Sequence, residues 1–108
     1  MSKAFESTRD VMIKVEEPEE ALRFYADVMG LTLFESNQRY AGFETGGFRL
    51  FVERGREPGP VFEFLVPDLE AAKKRLLAAG CRIVEDDPKV PRLYMRDPYG
   101  LTFNLGRR

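Results

Sequence analysis

Three carboxylates and one phenol are the side chains of this sequence whose types and placement could do chemistry. Asp10, Glu53 and Glu63 fall on the polar side of alternating, strand-like runs, and together they would offer an oxygen-rich site to a hard cation. Glu63 or Asp10 acting as base, with Tyr94 as acid, would instead serve proton transfer in a metal-free lyase or isomerase. Both schemes meet an objection. An oxygen-only cation site needs more ligands than these, and Lys14 and Arg49 share the parity of the carboxylates and can pair with them. A carboxylate base must also be strongly desolvated before it holds a proton near neutral pH. The 108 residues include no histidine, which removes the commonest metal ligand and the usual acid-base group. The single cysteine, Cys81, can form no internal disulfide and has no histidine to activate it, so it reads as a packing residue.

The elements that must position these groups are written twice. The stretch from Val15 to Glu35 (VEEPEEALRFYADVMGLTLFE) reappears from Val66 to Glu85 (VPDLEAAKKRLLAAGCRIVE). Val15 to Val66 is an offset of 51 and Gly30 to Gly80 one of 50, so one helix carries a residue that the other lacks. A repeat of this period implies one supersecondary unit duplicated and packed on itself. In the first copy, Val11, Ile13 and Val15 alternate with Asp10, Met12 and Lys14 as a strand. Pro18 opens a helix with Leu22, Tyr25 and Met29 at helical spacing, and Gly30 ends it in a left-handed cap. Three short strands follow, 31–35, 39–44 and 48–53, separated by Ser36-Asn37 and Gly46-Gly47. The second copy repeats the order: a strand at 61–66, Asp68 as N-cap, a helix with Leu69, Ala72 and Leu76 on one face, Gly80 at its end, and strands near 82–84, 92–96 and 101–105. Each half is βαβββ, with module 1 at about residues 9–54, module 2 at about 60–106, and the 55–60 stretch (GREPGP) as the joint inside a single domain of residues 1–108. Residues 1–8 show no periodicity and read as a loose N-terminus.

Composition narrows the partners. Seventeen basic and eighteen acidic residues give a net charge of -1 with no basic stripe, which argues against nucleic acid. No apolar run reaches the length of a signal core or a membrane span; together with one cysteine, this makes a cytoplasmic protein with no membrane partner the expectation.

Val15-x-x-Pro…Phe24-Tyr25-x-x-Val28-Met29-Gly30-Leu31 resembles the helix signature of the vicinal oxygen chelate superfamily, the group of glyoxalases, ring-cleaving dioxygenases and bleomycin-resistance proteins. Val66-Pro67-Asp68…Ala79-Gly80 looks like the second-module counterpart, and Asp97-Pro98-Tyr99-Gly100 is similar to the turn before the family's last strand. The resemblance spans Asp10 to Leu105. It implies an α+β fold, two βαβββ modules whose sheets form a cupped half-barrel with helices on the convex face. Alternation assigns Val11, Ile13, Val15, Phe62, Phe64, Val66, Leu101, Phe103 and Leu105 to the helix side. Asp10, Met12, Lys14, Val61, Glu63, Leu65, Thr102 and Asn104 then face the cup.

The same resemblance places metal ligands on the opening and closing strands of each module. Here those positions are Asp10, Phe51, Val61 and Asn104. One carboxylate, one amide and two apolar side chains do not make a transition-metal site, so neither metal nor cofactor is implied. What the cup-facing set offers is binding. Phe43, Phe51 and Tyr94 stand among Met12, Leu65, Arg49, Arg92 and Asn104, aromatic walls with a few directional polar groups. The expectation is therefore a metal-independent homodimer that binds an aromatic or amphipathic small molecule, in the manner of bleomycin- and mitomycin-resistance proteins. Two alternatives stay open: a lyase, isomerase or dioxygenase-like enzyme with an atypical site, and a dimerisation module with a vestigial pocket.

Overall fold

The computed structural model describes residues 5–56 and 59–108. The proposed joint between modules therefore lies partly outside the described residues, at Glu57 and Pro58, as does the start of the N-terminal segment. The chain separates into two compact units, residues 9–60 and residues 61–108 together with 1–8.

In the first unit the order is β2 (Asp10–Val15), α1 (Pro18–Arg23), a π-helical segment (Phe24–Val28), β3 (Thr32–Ser36), β4 (Tyr40–Glu44) and β5 (Arg49–Arg54). The strands form one sheet in the order β2-β5-β4-β3, with β2 and β5 parallel and the other neighbours antiparallel. The second unit repeats the plan with β6 (Phe62–Val66), α2 (Leu69–Ala78), β7 (Arg82–Asp87), β8 (Arg92–Arg96) and β9 (Thr102–Arg107), ordered β6-β9-β8-β7. Both outer hairpins carry a register shift at the same place, Leu33/Glu35 and Ile83/Glu85. The α+β class and the βαβββ duplication expected from the sequence are what the structure shows. Among the described residues, no helix is long and apolar enough to cross a membrane.

Each sheet buries one face under its own helix. Ala41, Phe43, Leu50 and Val52 form the core of the first unit, with Ile13, Val15, Leu22 and Tyr25 packed against them. Val66, Ala72, Cys81, Leu93, Met95, Phe103 and Leu105 do the same in the second, with Phe64, Leu69 and Leu76 alongside. Asp68 caps α2 as read from the sequence, its Oδ1 accepting the Ala71 N–H at 3.1 Å. Gly30 and Gly80 both adopt positive φ, at 71° and 102°, a conformation that costs glycine nothing. Cys81 is buried, and burial pushes its thiol pKa up.

Several details differ from the sequence reading. The described part of the N-terminal segment, read as loose, holds a strand: β1 (Glu6–Ser7) pairs antiparallel with β6, and the Arg108 guanidinium bonds Glu6. The first helix is not α-helical to its end. The residue present in the first copy and missing from the second is absorbed by the π-helical turn, where the Met29 N–H reaches the Phe24 carbonyl, five residues back, at 3.1 Å. A one-residue insertion widens a helix in this way because the backbone can recover its hydrogen bonds only with i→i+5 spacing. The wider turn rotates Met29 out of the core stripe to 55% exposure, while Leu22 and Tyr25 stay in it. Leu101, expected on the helix side, precedes β9 and is exposed.

Candidate ligand-binding face

The face of the first sheet turned away from α1 carries an oriented guanidinium and an aromatic cluster. In β2 and β5, Asp10 lies opposite Arg49, Met12 opposite Phe51 and Lys14 opposite Glu53. Across β4, Phe51 lies opposite Gly42. The Arg49 guanidinium holds Asp10 with two bonds, Nε to Oδ1 at 2.6 Å and Nη2 to Oδ2 at 2.9 Å. Such a fork fixes the plane of the guanidinium as well as its charge. The Asp10 bond pushes the Arg49 pKa above its already high value, so this is a permanent cation. Its carbon centre lies 5.5 Å from the Phe34 ring centroid and 5.6 Å from that of Phe51, within cation–π range.

Phe51 anchors an aromatic cluster. Phe34 meets it edge-on at 5.8 Å and 83°, and Tyr40 at 5.5 Å and 72°, the geometry ring quadrupoles favour. Gly42 makes room for this: a Cβ there would lie 2.8 Å from Phe34 Cζ and 3.0 Å from Phe51 Cε1. The Tyr40 hydroxyl donates to Glu35 Oε2 at 2.7 Å, and that bond to a carboxylate pushes the phenol pKa up. Phe34 remains 41% exposed, so the cluster presents a half-open aromatic wall beside an oriented guanidinium.

One expected site residue stands on the other side. Phe43 is fully buried under the helix, its ring 5.8 Å from Tyr25, and it pairs with Leu50 rather than sharing the face of Phe51. The physical reason is the β4–β5 hairpin, closed by the pair Glu44–Arg49; even positions in β4 therefore face the same way as odd positions in β5. Phe34, Tyr40 and Gly42 take the place expected of Phe43. The Tyr40/Gly42/Glu44 alternation against Ala41/Phe43 was the signal that could have found two of them.

In the second unit, Leu65, Tyr94, Arg92 and Asn104 do share the face away from α2. Asn104 lies opposite both Glu63 and Tyr94. Its amide is engaged at both ends: Oδ1 accepts the Leu93 N–H at 3.0 Å, and Nδ2 donates to Glu63 Oε2 at 3.1 Å. The Arg92 guanidinium lies 4.9 Å over the Tyr94 ring and 3.7 Å from Glu85. Tyr94 is only 3% exposed, so a ligand would need to displace its cover before stacking on it.

The donor set does not fit a transition metal. Asp10 is chelated by Arg49, Asn104 is spent on Leu93 and Glu63, and Phe51 and Val61 have no donor atom. Asp10, Glu53 and Glu63 are each engaged. Asp10 takes Arg49, Glu63 accepts from Asn104, and Glu53 lies 3.9 Å from Lys14 with both side chains largely buried. Among the described residues, no group of three or more His, Cys, Asp or Glu is placed to hold a metal ion.

These features belong to a known class of fold. Residues 10–106 match the glyoxalase-like domain family, and the chain is a member of that family, within the vicinal oxygen chelate superfamily. No match is found among curated proteins. A hypothetical protein of Bacillus halodurans shares the fold at a TM-score of 0.69 and 14% identity, with 98% of this chain and 96% of that one covered. A glyoxalase/bleomycin resistance protein/dioxygenase superfamily member of Vibrio splendidus aligns at 0.64 and 17% identity, covering 91% and 96%. An extradiol ring-cleaving dioxygenase from B. fuscum aligns at 0.59 and 18% identity, covering 92% of this chain and 31% of its own.

Proposed function

We propose that this protein binds a planar aromatic or amphipathic small molecule without a metal, in the manner of the bleomycin-resistance members of its superfamily, and that it does so as a homodimer. The observation that carries the reading is the aromatic cluster around Phe51, at a position where the resemblance implies a metal ligand. Where a catalytic relative would coordinate a metal, this chain places an aromatic ring flanked by Phe34 and Tyr40 and by the Asp10-oriented Arg49. Rings supply stacking area, and a fixed guanidinium supplies direction to a carbonyl or acidic group on the ligand. With Asp10 held as a paired carboxylate, the site has a recognition element in place of a base.

The test is Phe51→Ala, read in two ways on the same sample. Stacking contributes about 1 kcal/mol beyond area burial, so affinity for a planar drug selected by thermal shift should fall roughly fivefold, with fold and dimer intact. A second reading, dimerisation without a ligand, is favoured by β3. All five of its residues are exposed at the sheet edge, including Leu33 and Phe34, and apolar edge strands invite pairing. Loss of dimer with unchanged ligand affinity in Phe51→Ala would select that reading.

A further inference from the structure

We infer a second binding site on the opposite side of the same sheet, a cleft that takes a small organic anion with an apolar body. The cleft, of about 320 Å³, opens between the start of α1, the β3–β4 turn and the end of β5, a size within the range of small-molecule sites. Its floor is apolar, from Leu22 and Val52, on the helix side of the sheet away from Phe51. Its rim holds two guanidinium groups, Arg39 and Arg54, against one carboxylate, Glu19. Neither arginine has an ion pair among the described residues. Arg54 donates to the Glu16 carbonyl at 3.1 Å, and the Arg39 side chain has no hydrogen bond or ion pair among the described residues. Two guanidinium groups without a carboxylate partner, over an apolar floor, match a carboxylate or phosphate carried on a ring or short chain, because guanidinium binds both oxyanions in a fork.

The experiment is an amide NMR titration of the full chain with phenylacetate, phenyl phosphate and benzyl alcohol. Saturable shifts centred on residues 36–40 and 54 with the two anions, and not with the alcohol, are expected, and the tighter anion identifies the headgroup. Arg39→Gln should weaken anion binding about fivefold, as expected for one exposed charge contact of good geometry. Because the Arg39 side chain holds no other residue, that variant separates binding from folding; Lys74→Gln on α2 is the charge control. Shifts centred instead on Arg49 and Phe51, equal binding of benzyl alcohol, an unaffected Arg39→Gln, or no saturable shift would each overturn the inference.

Discussion

Gly42→Ala is the sharpest probe of the aromatic wall, because one methyl group tests which ring can move. The new Cβ would lie 2.8 Å from Phe34 Cζ and 3.0 Å from both Phe34 Cε1 and Phe51 Cε1, well inside the roughly 3.5–4.0 Å optimum for carbon atoms. Phe51 is held between Tyr40 and Arg49, whereas Phe34 is on an exposed edge strand, so Phe34 swings outward. That movement forfeits the Phe34–Phe51 edge contact, about 0.5–1.5 kcal/mol, and the Arg49–Phe34 contact, about 0.5–1 kcal/mol. Replacing glycine in a strand returns about 0.4–1 kcal/mol through the unfolded chain. The net is a loss of roughly 1 kcal/mol, or about 4 °C in Tm for a chain this size. Urea denaturation gives the stability, and titration with the planar drug gives the affinity, which should also fall, though by less than in Phe51→Ala. In a Phe34→Ala background the larger clash is gone, so Gly42→Ala should be near neutral there. Additive effects in that cycle, or an unchanged affinity in Gly42→Ala, would refute the arrangement of the wall.

Three other outcomes follow from different parts of the molecule. The Glu44 carboxylate is held below the ordinary range by the Gly46 N–H, at 2.8 Å, and then by Arg9. The unfolded chain therefore takes up the proton first; the stabilisation is full above the ordinary value of 4.5 and is lost as pH falls through the lower folded value. Tm should drop across that window in wild type, and less steeply in Glu44→Gln. Cys81, buried with a raised pKa, should react with a thiol reagent at neutral pH only slowly in the native state and rapidly in urea; fast native labelling would contradict its packing. Light scattering at tens of micromolar should give the dimer mass, and Leu33→Lys on the exposed β3 edge should shift it toward monomer if that edge is the contact; a monomer mass for wild type would remove the dimer from the account.

The fold was legible because its signals are local and repeat together: strand alternation, a capping aspartate, two positive-φ glycines, and a helix offset that changes by one. That offset even marked the π-helical turn, although its type needed the backbone. The site was less legible, and the cause is a hairpin. The β4–β5 loop spans 45–48 while its counterpart between β8 and β9 spans 97–101, so one residue of loop length reverses which parity shares a face. Tyr94 and Asn104, read with the second hairpin's parity, were placed together correctly; Phe43 and Phe51 were not, and Gly42 and Phe34 were overlooked with them. Parity across a hairpin depends on where the ladder closes, which composition does not show. Salt-bridge choice was legible only as a possibility, since Lys14 and Arg49 each had several carboxylates of matching parity.

Recognition without a metal is tested by the affinity of the purified protein for the planar drug before and after exhaustive chelation, with elemental analysis of the starting sample. The starting sample should hold no stoichiometric transition metal, the affinity should be the same in both states, and adding zinc, manganese, nickel or iron should bring no gain in affinity or turnover. Stoichiometric metal in the starting protein, with binding that disappears on chelation and returns with the ion, would contradict metal-free recognition.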